Sequence, residues 1–130
     1  MKILLSLVLL LIAGTASAEE QKVFALVPKY MNHPFFNLAR DGCEKAAAEL
    51  HVTCLFIGPA EPDEQGQLQV IQDLITRRVA GIAVSPANTP AMARIVRMAN
   101  TAKIPLVTWD SDFLPADKAL RATYIGTKNY

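Results

Sequence analysis

The chain has 130 residues, of which 52% are hydrophobic and 19% are charged. This is the composition of a globular domain, with none of the low-complexity tracts of a disordered protein. Lys and Arg (13) nearly balance Asp and Glu (12), and the formal charge of +1 excludes the basic footprint of a nucleic-acid-binding domain.

The first 18 residues are predicted to be a secretory signal peptide. Lys2 supplies the positive charge, residues 3–12 form a short apolar run, and Ala16-Ser17-Ala18 resembles a signal-peptidase site. The apolar run is roughly half of the about 20 residues that span a membrane. We therefore expect cleavage after Ala18 and no membrane insertion afterwards, leaving residues 19–130 as one exported, periplasmic domain.

Strand-like and helix-like segments then alternate along the chain. Short apolar and β-branched runs predict strands at residues 23–28, 52–57, 81–84, 105–109 and 123–125. Apolar residues at helical spacing predict helices at residues 35–50, 63–78 and 91–101. The inward face of the first helix is predicted to comprise Phe36, Ala39, Cys43, Ala47 and Leu50.

This alternation predicts right-handed βαβ units, and hence a doubly wound α/β fold with a parallel sheet that helices cover on both faces. Neither a G-x-G-x-x-G turn nor a Walker sequence occurs, so no nucleotide cofactor is expected.

The two cysteines, Cys43 and Cys54, lie in a predicted helix and in the strand that follows it. An oxidising compartment permits a disulfide between these elements, and two buried free thiols are the alternative. Neither cysteine has metal-ligand spacing with His33 or His51, so no metal is expected.

Polar and aromatic side chains collect at the carboxyl ends of the predicted strands, where open α/β sheets bind ligands. The candidate site residues are Lys29, Asn32, His33, Phe35, Phe36, Ser85, Asp110 and Ser111. A carboxylate can accept hydroxyl protons, an ammonium can donate to oxygen, and aromatic faces can cover the C–H patches of a sugar ring. The mixture is typical of a site for a small polyhydroxylated ligand.

Three motifs resemble those of type I periplasmic sugar-binding proteins of the ribose-binding class. They are M-N-H-P-F-F at residues 31–36, V-S-P-A-N at 84–88 and V-T-W-D-S-D at 107–112, and the resemblance extends over residues 22–130. It implies the first of two lobes that close on a sugar about a hinge and deliver it to the permease of an ABC importer. It implies no catalysis.

Within that class, V-P-K at residues 27–29 and T-W-D-S-D are similar to receptors for autoinducer-2 and rhamnose. In the autoinducer-2 receptor a lysine and an aspartate bind ligand, which implies that role for Lys29 and Asp110. The ribose receptors differ, with serine at the position of Lys29 and arginine at that of Ser111. The implied ligand is therefore a sugar or sugar-like molecule, with autoinducer-2 as the alternative.

Several interpretations stay open at this point. Asp110 could cap the turn after its strand, and Lys29 could be an ordinary surface lysine. One of Phe35 and Phe36 is expected to be core. A small exported hydrolase using Ser85, His33 and Asp110 is the rival class, although the G-x-S-x-G elbow is missing.

The chain ends near the point where such receptors cross into their second lobe, so that lobe is expected to be absent. The 130-residue chain alone is then expected to bind its sugar weakly or not at all.

Overall fold

A computed structural model of the protein describes residues 20–127, so the predicted signal peptide lies outside the described residues. The strands are β1 (Val23–Val27), β2 (Thr53–Phe56), β3 (Gly81–Val84), β4 (Leu106–Trp109) and β5 (Tyr124–Ile125). The helices are α1 (Pro34–Leu50), α2 (Glu64–Thr76) and α3 (Thr89–Thr101), and a 3₁₀ helix (Pro115–Leu120) precedes β5.

The strands pair in parallel in the order β2-β1-β3-β4-β5, which confirms the predicted doubly wound α/β fold. The order reverses at β1, because the chain moves outward to β2 and then crosses back to β3. Such a switch point opens a crevice at the carboxyl ends of the strands. The carboxyl ends of β1, β3 and β4 are therefore neighbours at one edge of the sheet.

Side-chain caps set the starts of the three helices. His33 Nδ1 accepts from the Phe35 amide (3.2 Å), Asp63 Oδ1 from the Gly66 amide (2.9 Å), and Asn88 Oδ1 from the Ala91 amide (3.1 Å). Each bond satisfies an amide that has no partner within the helix. As a result α1 and α3 begin slightly earlier than predicted, and Asp63 precedes α2 instead of opening it.

One face of the sheet carries the main core. Alternate residues of β1 and β3 point to it, Ala25 and Val27 from β1 with Ile82 and Val84 from β3, and all four are buried. The buried faces of α2 and α3 cover them, with Ile71, Leu74, Met92, Ile95 and Val96 in the same cluster. Burying such side chains contributes roughly 1.5–3 kcal/mol each, so this layer dominates the stability of the domain.

Helices flank both faces of the sheet, as predicted, but the described residues cover the other face only in part. Only α1 lies on it, and α1 packs mainly against β2. Phe24 is exposed above Gly81, where an added Cβ would lie 3.0 Å from the Phe24 ring. Leu50, predicted to be inward-facing, is also exposed because it lies at the end of α1, beyond the sheet.

The Cys43–Cys54 disulfide joins α1 to β2 across this partly covered face, with a Cα–Cα distance of 5.9 Å. It links residues that are 11 apart in sequence, and closing a loop of this size in the unfolded chain stabilises the folded state by about 3 kcal/mol. Phe36 and Ala47 are the only buried residues of α1. The disulfide is therefore a main attachment of α1.

Replacing both cysteines by serine should lower the free energy of unfolding by about 3 kcal/mol, because the unfolded chain regains the closed-loop entropy. Urea denaturation of the oxidised wild type and the double variant measures this difference. Reductant should destabilise the wild type and leave the double variant unchanged. Equal midpoints for the two proteins would contradict the prediction.

Candidate ligand-binding site

Lys29, Ser85 and Asp110 converge at the carboxyl edge of the sheet from the ends of β1, β3 and β4. Ser85 Oγ donates a hydrogen bond to Asp110 Oδ2 (2.7 Å), and Lys29 Nζ forms an ion pair with the same oxygen (3.1 Å). The structure thus brings together the three residues that the sequence placed after these strands. Both contacts fall on Oδ2, and neither donor engages Oδ1.

Solvent reaches the members of this cluster to different extents. Ser85 is fully buried, at 0% exposure, whereas the side chains of Lys29 and Asp110 are 31% and 23% exposed. The ammonium and the carboxylate can therefore meet a ligand from solvent. Ser85 is placed to orient the Asp110 carboxylate from the buried side, through the hydrogen bond from its hydroxyl.

The backbone of Asp110 is fixed by β5. Its amide donates to the Ile125 carbonyl (3.1 Å), and the Tyr124 hydroxyl donates to the Asp110 carbonyl (2.9 Å). Asp110 has φ 59°, a left-handed conformation that Asp and Asn tolerate better than most residues. This turn directs the carboxylate back toward β3 and β1.

An aromatic cluster links the start of α1 to Trp109, the residue that precedes Asp110. The Phe36 ring makes edge-on contacts with Tyr30 (5.4 Å between centroids) and with Trp109 (5.7 Å). Phe36 is only 5% exposed, whereas Phe35 is 50% exposed. Phe36 is thus the core member of the pair, and Phe35 is the ring that is free to pack against a ligand.

The other predicted site residues lie at the rim. His33 is exposed, and its Nδ1 is engaged as the cap of α1. Asn32 is exposed in the same loop, which the bond from the Met31 amide to the Pro59 carbonyl (2.8 Å) fastens to the segment after β2. Ser111 is partly buried, and its amide donates to the Trp109 carbonyl (2.6 Å).

Asp112 anchors the segment after β4. Its carboxylate accepts two hydrogen bonds from Arg121, at 2.6 and 2.7 Å, and a third from the Thr108 hydroxyl at 2.8 Å. The bonds from Arg121, opposed by burial and aided by Thr108, hold the pKa of the Asp112 carboxyl well below its usual range. The same bonds raise the pKa of Arg121. This pair fixes the loop between β4 and β5.

Three residues that support the site were not predicted from the sequence: Gln67, Arg121 and Tyr124. Arg121 and Tyr124 come late in the chain and contact the Asp112 side chain and the Asp110 carbonyl, respectively. Gln67 stands at helical spacing from the buried Ile71 and Leu74. A polar residue on the apolar face of a helix is the signal that could have identified it.

Within residues 20–127 no group of three or more His, Cys, Asp or Glu side chains is placed to hold a metal ion. In the same range no helix has the length and apolar character needed to cross a membrane.

Comparison with protein families gives a match to the periplasmic binding protein domain over residues 24–130. The chain belongs to this family. The doubly wound sheet is accordingly the fold of the first lobe of a type I periplasmic binding protein.

Proteins that resemble the chain include the ribose import binding protein RbsB of Salmonella typhimurium. It is 32% identical over 114 residues, a match that covers 88% of this chain and 38% of that protein. The glucose-galactose binding protein GanP of Geobacillus stearothermophilus has a TM-score of 0.78 and 28% identity, covering 86% of this chain and 39% of that one. The chain thus spans about two fifths of the length of these relatives.

The fold is also that of LsrB from Clostridium saccharobutylicum, solved in complex with AI-2. The TM-score is 0.75 at 22% identity, over 81% of this chain and 31% of that one.

Proposed function

We propose that this chain is the first lobe of a periplasmic receptor that captures a sugar or sugar-like molecule and delivers it to the permease of an ABC importer. The observation that carries the proposal is the partly exposed pair of Lys29 and Asp110 at the carboxyl edge of the sheet. The family match supports it, as do the sugars in the names of the relatives. No bond of the ligand is made or broken.

Binding in this proposal uses the groups that solvent reaches. Asp110 Oδ1 accepts a ligand hydroxyl, while Oδ2 stays with Ser85 and Lys29. The remaining protons of the Lys29 ammonium donate to a second ligand oxygen. The exposed ring of Phe35 covers an apolar face of the sugar. Asn32, His33 and Ser111 contribute polar groups at the rim.

A second lobe would supply the opposite wall of the cleft. Such receptors close two lobes on the ligand about a hinge, which excludes water from the bonds at the edge. The relatives are longer than the matched region, which leaves room in them for a second lobe. Export through a signal peptide at residues 1–18 is part of the same proposal, and the family's periplasmic description supports it.

The rival class, an exported hydrolase, requires a base that is hydrogen-bonded to a nucleophilic hydroxyl. Ser85 is fully buried and its Oγ donates to Asp110, while His33 Nδ1 accepts from the Phe35 amide. These contacts favour a binding protein over a Ser-His-Asp enzyme. Autoinducer-2 remains the alternative ligand for the same site, because the fold is shared with LsrB.

A thermal-shift panel tests the proposal on the product of the whole reading frame, with any residues that it encodes after Tyr130. This protein is called the longer gene product. The panel contains D-ribose, D-allose, D-glucose, D-galactose, L-rhamnose and autoinducer-2, with amino acids as the control class. A ligand at about 100 times its Kd stabilises the folded state by about 2.7 kcal/mol, so at least one sugar or autoinducer-2 should raise Tm by about 5 °C or more. A panel in which only amino acids raise Tm, or nothing does, would contradict the proposal.

The chain of residues 19–130 alone should give a smaller shift than the longer product with the same sugar, because one wall of the cleft is then missing. Micromolar binding by this chain alone in calorimetry would overturn that expectation.

A further inference from the structure

Gln67 is a fully buried polar side chain in the first turn of α2, at 0% exposure. Its Nε2 donates to the carbonyls of Pro28 and Ser85, both at 2.8 Å, and its Oε1 accepts from the Ala87 amide at 2.9 Å. Both donor protons of the side-chain amide are therefore used, and the oxygen is engaged as well.

The three backbone groups that Gln67 binds belong to the loops that carry the candidate site. Pro28 directly precedes Lys29. Ser85 is the residue whose hydroxyl donates to Asp110 Oδ2. One side chain thus connects the end of β1 to the end of β3, and through Ser85 it reaches the carboxylate after β4.

Loss of these hydrogen bonds would be costly because they lie in the interior, where water cannot replace them. A buried carbonyl or amide without a partner is unfavourable, so the two loops would shift to recover hydrogen bonds if the Gln67 amide were absent. A second link from α2 to the same region, Asn88 Nδ2 to Glu64 Oε2 at 2.9 Å, is exposed to solvent and cannot replace the buried one.

We propose that Gln67 is a positioning residue that sets sugar affinity without touching the sugar. It holds the Pro28 and Ser85 carbonyls at a fixed separation, and thereby keeps Lys29 and Asp110 in the arrangement that meets the ligand. The inference rests on the proposed function for its effect on affinity. The effect of Gln67 on the loops after β1 and β3 does not depend on any ligand.

The test compares Gln67→Met with Gln69→Met in the longer gene product. Methionine keeps the length of the side chain and removes all three hydrogen bonds. Gln69 lies in the same helix but is exposed, and its Nε2 donates only to Asp73 Oδ1. Gln69→Met therefore controls for the change of residue type in α2.

Amide hydrogen exchange without ligand is the first measurement. In Gln67→Met, the amides of residues 29–33, Ser85, Ala87 and Asn88 should exchange about 10-fold faster or more, while α3 and the core of the sheet keep wild-type rates. Gln69→Met should match the wild type throughout. Unchanged exchange in both loops of Gln67→Met would overturn the proposal.

The second measurement is the Kd for D-ribose, or for the panel compound with the largest thermal shift. Gln67→Met should weaken binding by about 10-fold or more, and Gln69→Met by less than about twofold. In an Asp110→Asn background, Gln67→Met should raise the Kd by less than about a further threefold, because the carboxylate that Gln67 positions has already been neutralised. Full additivity would overturn a positioning role.

Two further outcomes separate the hypotheses. If the two loops loosen as expected but no compound binds the wild type, the proposed function fails and the role of Gln67 in the loops stands. If Gln67→Met accelerates exchange uniformly, Gln67→Glu follows, since it keeps the acceptor for Ala87 and loses both donors. Uniform acceleration in that variant too would make Gln67 a residue of general stability and overturn the proposal.

Discussion

Replacing Asp110 by Asn should weaken sugar binding by about 10- to 100-fold. A hydrogen bond to a charged acceptor contributes roughly 1.5–3 kcal/mol, and the substitution removes the charge that strengthens it. Asn is the informative replacement because it tolerates the left-handed backbone at φ 59° and retains an oxygen that can accept from Ser85. The fold should therefore survive the change.

Calorimetric titration of the longer gene product with the best panel compound measures this effect. Asp41→Asn is the matched control, because Asp41 lies on α1, is exposed, and pairs only with the neighbouring Arg40. The control should bind within about twofold of the wild type. Binding by Asp110→Asn that equals the control would remove Asp110 from the site.

Replacing Arg121 by Met should lower the free energy of unfolding by about 3 kcal/mol. Both members of the Asp112–Arg121 pair are only 16% exposed, so the variant leaves a largely buried carboxylate without its main partner. Lys118 lies 3.8 Å from Asp112 but is exposed, and it compensates weakly. Urea denaturation at neutral pH measures the loss.

This pair should also give the protein a defined acid sensitivity. The folded-state pKa of Asp112 lies below its ordinary value of 3.8 because Arg121 stabilises the carboxylate. The contribution to stability is therefore complete above about pH 5 and declines as the pH falls below 3.8 toward the folded-state pKa. In Arg121→Met the free energy of unfolding should depend less on pH below about pH 5.

The control for both measurements is Arg97→Met. Arg97 also pairs with an aspartate, Asp117, at 3.1 Å, but its side chain is largely exposed. Solvent screens such pairs, so the expected loss is below about 1 kcal/mol, with little change in acid sensitivity. Equal losses for the two arginine variants would contradict the role assigned to Asp112.

Local patterns in the sequence predicted the elements of the fold and the convergence of three candidate residues. Each predicted strand and helix is present. Apolar periodicity depends on residues that are close in sequence, so it could be recognised without knowledge of the fold. The convergence of Lys29, Ser85 and Asp110 followed from the rule that carboxyl ends of parallel strands share one edge.

What the sequence could not predict depends on contacts between distant backbone atoms. Gln67 binds two carbonyls and an amide, and backbone groups carry no residue-specific signal. How much of each face the helices cover was not predicted, because periodicity does not report on which face each helix packs.

The most direct test of this account is a crystal structure of the longer gene product with its best panel compound bound. We predict ligand oxygens within about 3 Å of the Asp110 carboxylate and of Lys29 Nζ, with the Phe35 ring against an apolar face of the ligand. A ligand bound with neither Asp110 nor Lys29 within hydrogen-bond distance would contradict it.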